Sequence, residues 1–315
     1  MRITRHHPVI GGSILSQISR VLAAVDFSKP ARGAFEYALA LSKRHRAELV
    51  VVQAVPLNEV FSWHARKRDA LTAKLRRRAD LANVEFKERV QQGDPAKIIV
   101  LHARSLHPDV IVVGTHQRRG MDRFAMGSVA ERVAAQSTVP VLVVPYRRRT
   151  ATAEPFSHLA VAVDFSASSD RAIKQALALA SDPADRVTLL HVTPGFASDV
   201  PPHLYRYGTA EYQDQLLRDA RRRLQLAVPV TRHSPAAIHA RVLLGDTRTE
   251  ISRVVESIGA DMLVVGVPKR GVVSRALFGT TAARLLRVSR VPILAVPEAD
   301  SASRHQGTAW LKPAA

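Results

Sequence analysis

VIVVGTHQRRGMDRFAMGSVAERVAAQSTVPVLVVP (residues 110–145) and MLVVGVPKRGVVSRALFGTTAARLLRVSRVPILAVP (residues 262–297) share one layout. In each, an apolar run ends at a glycine, a basic loop follows, a second glycine opens a helix, and Val-Pro starts another strand. Gly114 answers Gly266, Gly127 answers Gly279 and Pro140 answers Pro292, always 152 residues apart. A long fixed offset marks a duplicated domain.

Working outward, each half alternates strand and helix. In the first half the apolar runs lie at 20–25, 48–54, 84–90, 110–113 and 139–144. Helical stretches are expected at about 31–46 and 63–81, then after Gly93-Asp94-Pro95 and after Gly127. Ser28 is placed as an N-cap with Pro30 in the first turn, and Asp94 as an N-cap with Pro95 at N1. The second half repeats the strands at 159–163, 187–192, 238–244, 262–265 and 291–296.

Asp26 and Asp164 stand 138 residues apart, whereas Gly93-Asp94 and Gly245-Asp246 keep the offset of 152. The second half therefore holds an insertion of 14 residues, placed by its prolines and glycines near 193–212. The implied units are an extension (1–17), a first domain (18–147), a linker (148–157), a second domain (158–298) and a tail (299–315).

Strands alternating with helices imply an α/β fold with right-handed crossovers. Near-continuous apolar strands fit a parallel sheet covered on both faces. The expectation is two tandem doubly wound domains, each a five-stranded parallel sheet in order 3-2-1-4-5 with helices on both faces. In such sheets ligands bind outside the carboxyl ends of the strands, at the switch point. Asp26 closes strand 1 and Gly114 closes strand 4, so both fall at that crevice; Asp164 and Gly266 repeat them.

The 315 residues suit two domains of this size. No apolar run approaches the ~18 residues that span a bilayer. The chain has no cysteine. That removes disulfides, thiolate metal sites and cysteine nucleophiles, and it is compatible with a reducing cytoplasm, the expected location. None of the 13 histidines falls in an H-E-x-x-H pattern, so no metal site is expected.

The net charge of +19 invites a nucleic-acid reading. Residues 1–152 carry 26 basic and 12 acidic side chains (+14), and residues 153–315 carry 20 and 15 (+5). No nucleic-acid-binding motif accompanies the charge, and a solvated helix face with a basic linker is the preferred account. Binding to a polyanion or membrane surface ranks third among the functional readings.

LAAVDFSKPARGAFEYALALSKRHRAELVVVQAV (residues 22–55), GTHQRRGMDRFAMGSVAERV (residues 114–133) and LAVAVDFSASSDRAIKQALALA (residues 159–180) resemble the universal stress protein family. The resemblance covers both halves, making this a tandem member. It implies the sandwich fold already argued and, in many members, binding of ATP or another adenine nucleotide, with or without Mg2+. It also implies dimers through the last strand, hence an intramolecular pseudo-dimer of the two halves, with a homodimer as a further expectation.

The family's nucleotide pattern is Gly, two residues, Gly, nine residues, then Gly-Ser or Gly-Thr. It maps onto Gly114, Gln117 and Gly127-Ser128, and onto Gly266, Lys269 and Gly279-Thr280, with Val129 and Thr281 next in each helix. Both copies depart at the middle glycine. Gln117 either blocks the approach of phosphate or donates a hydrogen bond; Lys269 either blocks it or supplies a charge-assisted contact. Arg118 and Arg270 offer the same chemistry nearby.

Gly127 and Gly279 let phosphate approach a helix start, where free N–H groups favour anions; the plainer reading is that Gly-Ser and Gly-Thr only cap the helix. Asp26 and Asp164 match the position that reads adenine or its polar neighbours, or else bond their own Ser28 and Ser166 turns. Backbone near Val52 and His191 is expected to border the base.

No catalytic constellation is present: there is no G-x-S-x-G elbow and no G-x-x-x-x-G-K-[ST] loop. The leading expectation is a nucleotide-binding stress-response protein that is not an enzyme. The competing one is an interaction module whose clefts Gln117 and Lys269 fill.

Overall fold

The structure is a computed structural model; it describes residues 18–26, 28–55, 62–115, 128–146, 156–193, 209–227, 236–268 and 280–298. The first half runs β1 (Arg20–Ala24), α1 (Lys29–His45), β2 (Glu48–Val55), α2 (Ser62–Leu81), β3 (Phe86–Gln92), α3 (Pro95–Leu106), β4 (Val110–Thr115), α4 (Ser128–Gln136) and β5 (Val141–Pro145). The second runs β6 (His158–Ala162), α5 (Ala167–Leu179), β7 (Arg186–Thr193), α6 (Thr209–Ala227), β8 (Ala237–Leu244), α7 (Thr247–Ser257), β9 (Met262–Val267), α8 (Thr280–Val288) and β10 (Ile293–Pro297).

Among the described residues, all ten strands form one sheet in the order β3-β2-β1-β4-β5-β10-β9-β6-β7-β8. Each half has the expected 3-2-1-4-5 order and is parallel within itself. The halves join where β5 meets β10 antiparallel, with Val141 opposite Ala295, Leu142 opposite Leu294 and Val143 opposite Ile293. An apolar edge strand left open would invite pairing; here each edge closes the other, and the pseudo-dimer expected from the resemblance is internal. α1, α2, α5 and α6 pack on the face carrying Phe35, Leu75, Leu177 and Leu224. α3, α4, α7 and α8 cover the other, with Ile99, Val133, Val254 and Leu285.

Local signals place the helix starts as the sequence predicts. Ser28 Oγ accepts the Ala31 N–H at 3.2 Å with Pro30 in the first turn, and Asp94 Oδ1 accepts the Lys97 N–H at 3.0 Å ahead of Pro95. Several strands start later than expected. Val84 is held back because its N–H donates to Ala79 O at 3.0 Å, so β3 begins at Phe86. Val139 and Val291 are caught in hydroxyl turns: the Ser137 and Ser289 hydroxyls accept their N–H groups and donate to their carbonyls.

The insertion differs from its expected place. α6 already begins at Thr209 and matches α2, and the extra length is divided between two connections. Residues 194–208 answer the shorter 56–61, and residues 228–236 answer 82–85. Pro229 and Pro235 mark the second of these as Pro194, Pro201 and Pro202 mark the first.

Candidate functional site

At the carboxyl edge of the second half, a cleft of about 170 Å³ opens between β6 and β9, at the switch point. Leu190, Val192 and Val265 floor it, and Ile251 of α7 with Ala282 and Leu285 of α8 form an apolar wall. Asp164 and Thr247 supply polar groups, and the buried Ser169, whose hydroxyl donates to the Ser166 carbonyl at 2.9 Å, also lines it. Two helix starts converge there: Ser166 caps α5, accepting the Ser169 N–H at 3.2 Å, and Asp246 caps α7, accepting the Thr249 N–H at 2.9 Å.

Asp164 is exposed at the tip of β6, and its Oδ1 accepts both the N–H (3.0 Å) and the hydroxyl (2.5 Å) of Ser166. Burial pushes its pKa up, but hydrogen bonds from Ser166 and Ser169 outweigh that and hold it below the usual carboxylate range. The carboxylate is thus anionic at neutral pH, and it builds its own turn as well as lining the cleft. Asp26 builds the matching turn in the first half, its Oδ1 accepting the Ser28 N–H at 2.8 Å.

Gly114 and Gly266, the first glycines of the motif, close β4 and β9 and serve the packing of helix on strand. A Cβ on Gly114 would lie 2.5 Å from the Pro30 carbonyl carbon; one on Gly266 would lie 2.5 Å from that of Ser168. The bare backbone lets the first turn of α1 or α5 press against the end of β4 or β9. That contact forms the side of the cleft.

The two residues expected to border the base, Val52 and His191, are held as follows. The Val52 carbonyl accepts the Val25 N–H at 3.0 Å, and its side chain is buried in the core. Leu190 is its counterpart, accepting from Val163 N–H at 2.8 Å, and it is Leu190 that floors the second cleft. His191 touches the cleft, but its ring is engaged elsewhere: it stacks on Phe165 at 4.4 Å and Nδ1 bonds the Val163 carbonyl at 2.8 Å. Arg223 of α6 also sits over Phe165, 4.1 Å from the ring centre.

Val129 is half-buried against the core. Ser128, Thr280 and Thr281 lie in the first turns of α4 and α8 as predicted; their side chains are outside the described residues, as are Gln117, Arg118, Gly127, Lys269, Arg270 and Gly279 entirely. Sequence reasoning missed Ser169 and Thr247. Both sit in the first turn after an N-cap, Ser169 three residues past Ser166 and Thr247 directly after Asp246, which is the signal that would have found them.

The family model for the universal stress protein family matches residues 17–145 and 155–297, ending at the last residues of β5 and β10. The chain belongs to the universal stress protein family. Universal stress protein G of Shigella flexneri is 33% identical over 128 residues, covering 41% of this chain and 88% of that one. A Methanocaldococcus jannaschii universal stress protein is 29% identical over 138 residues, covering 40% and 81%. These relatives are thus about half the length of this tandem universal stress protein. A crystal structure of a universal stress protein from Archaeoglobus fulgidus has a TM-score of 0.69, covering 90% of this chain and 100% of that one at 20% identity, a likeness of fold. No helix among the described residues is long and apolar enough to cross a membrane.

Proposed function

We propose that this universal stress protein is a stress-response regulator that binds an adenine nucleotide at one or both switch-point clefts and acts in the cytoplasm without turnover. The observation that carries this is the second-half cleft. Its apolar floor suits the faces of a flat base, and Asp164, Ser169 and Thr247 suit polar groups of base edge and sugar. The starts of α5 and α7 offer N–H groups to phosphate, where helix ends favour anions. The resemblance supplies the nucleotide class. Mg2+, where it accompanies the ligand, neutralises the phosphates. Asp164 is a weak base, being held below the usual carboxylate range, and this supports a binding rather than a hydrolytic role.

The test is a calorimetric titration of the full chain with ATP, ADP and AMP, after stripping and mass-spectrometric identification of any co-purified ligand. Saturable binding is expected; no heat and no thermal shift with any of the three overturns the proposal. A second reading, an interaction module that takes no nucleotide, is favoured by one fact. Helix packing accounts for Gly114 and Gly266 without any ligand.

A further inference from the structure

We propose that the two clefts are unequal: the β6/β9 cleft alone takes the phosphorylated ligand, with Arg284 contacting its phosphates, while the first half is neutralised by its own Arg132–Asp94 pair. This rests on the nucleotide reading above and adds which half binds and through which cation.

The duplication allows a position-by-position comparison. Arg132 on α4 and Arg284 on α8 are equivalent at the offset of 152, as are Asp94 and Asp246, the N-caps of α3 and α7. In the first half the guanidinium of Arg132 forks onto both Asp94 oxygens, Nη1 to Oδ2 at 2.8 Å and Nη2 to Oδ1 at 2.7 Å. A bidentate pair of this kind uses the planar donor set that would otherwise grip a phosphate. It ties α4 to the start of α3, the wall that α7 and α8 form around the second cleft.

In the second half Asp246 caps α7 in the same way but makes no ion pair with Arg284. Its Oδ1 accepts both the N–H and the hydroxyl of Thr249, at 2.9 and 2.8 Å. Arg284 is exposed and forms no ion pair with any described residue, although its charge is near enough to act on Asp246. It flanks Ala282 and Leu285, which line the cleft. The first half thus spends this arginine on Asp94, whereas Arg284 stays without an ion pair to any described residue, on the helix that walls the second cleft.

Two further positions point the same way. Ser169 at the start of α5 becomes Ala31 in α1, and Thr247 at the first position of α7 becomes Pro95, which has no N–H to offer. The second cleft therefore has the Thr247 hydroxyl and amide donor that the first lacks, and a Ser169 hydroxyl whose own proton goes to the Ser166 carbonyl at 2.9 Å.

The experiment uses the stripped full chain, with native mass spectrometry for stoichiometry and calorimetry for affinity, and ATP and adenosine as probes. One ATP per chain is expected. Arg284→Gln is expected to weaken ATP at least tenfold and to leave adenosine within about twofold, which also shows that the variant is folded. Arg132→Gln is expected to leave ATP affinity within about twofold. Two equivalent sites, or loss of ATP on Arg132→Gln but not on Arg284→Gln, overturns the inequality while nucleotide binding stands. Absence of binding by the unmodified chain removes both proposals.

Discussion

Gly266 lies so close to Ser168 that a Cβ on the glycine would sit 2.5 Å from the serine carbonyl carbon. Gly114 stands in the same relation to Pro30. The neighbour in each case is backbone of a helix first turn, which cannot swing aside as a side chain can. Gly266→Ala and Gly114→Ala should each destabilise by roughly 2–3 kcal/mol, the scale of core overpacking. Gly33 is the control: it lies inside α1 with nothing within 4 Å of its would-be Cβ, so Gly33→Ala should stabilise by about 0.5–1 kcal/mol. Urea unfolding of the three variants checks this. A neutral Gly266→Ala would mean that α5 does not pack on β9 as described.

Those glycines also mark where sequence reading ends. Strand order, helix starts and the duplication are carried by local signals, namely apolar runs, caps such as Ser28 and Asp94, and a repeated offset. The approach of α5 to β9 is a tertiary relation, and the same glycine in the same motif equally suits a phosphate. His191 shows a second limit. Successive side chains on a strand point to opposite faces, so a shift of one residue sends the ring onto Phe165 and leaves Leu190 as the cleft floor. Arg132 pairs with its N-cap carboxylate and Arg284 does not, although both residue pairs are the same in the two halves, and composition does not record that difference.

Arg44, at the end of α1, reaches across to the second half. Its Nη2 pairs with Asp185 and its Nε donates to Ser181 Oγ at 3.2 Å. Asp185 is 2% exposed, and its other recorded donor is the Asp182 N–H at 2.8 Å. Removing the guanidinium would leave a buried carboxylate short of a partner, which costs more than a surface pair would. Arg44→Ala should therefore lower stability by about 2–3 kcal/mol in urea unfolding, and Asp185→Asn in the same background should restore part of it. A loss under about 0.5 kcal/mol would show that the junction does not depend on this contact.

Stability should fall on acidification in two stages. Burial, first of all, holds His45, His102 and His158 below the ordinary 6.5, assisted by the Arg44, Arg89 and Arg186 charges respectively. For His45, Asp185 and the Leu179 carbonyl oppose the shift without reversing it. The unfolded chain then takes up protons at a higher pH than the folded one. The contribution is complete above about pH 6.5 and is lost as pH falls from there towards the lower folded values. A second stage belongs to the carboxylates. Arg132 and the Lys97 N–H hold Asp94 down to about 2 from 3.8, and Asp164, Asp246 and Glu48 are also lowered. Their share persists until pH drops below about 4.5 and is largely gone near 2. Melting temperature followed from pH 8 to pH 3 should decline through both windows, and His45→Gln should flatten the first. A melting temperature that rises between pH 7 and pH 5 would contradict the burial of these imidazoles.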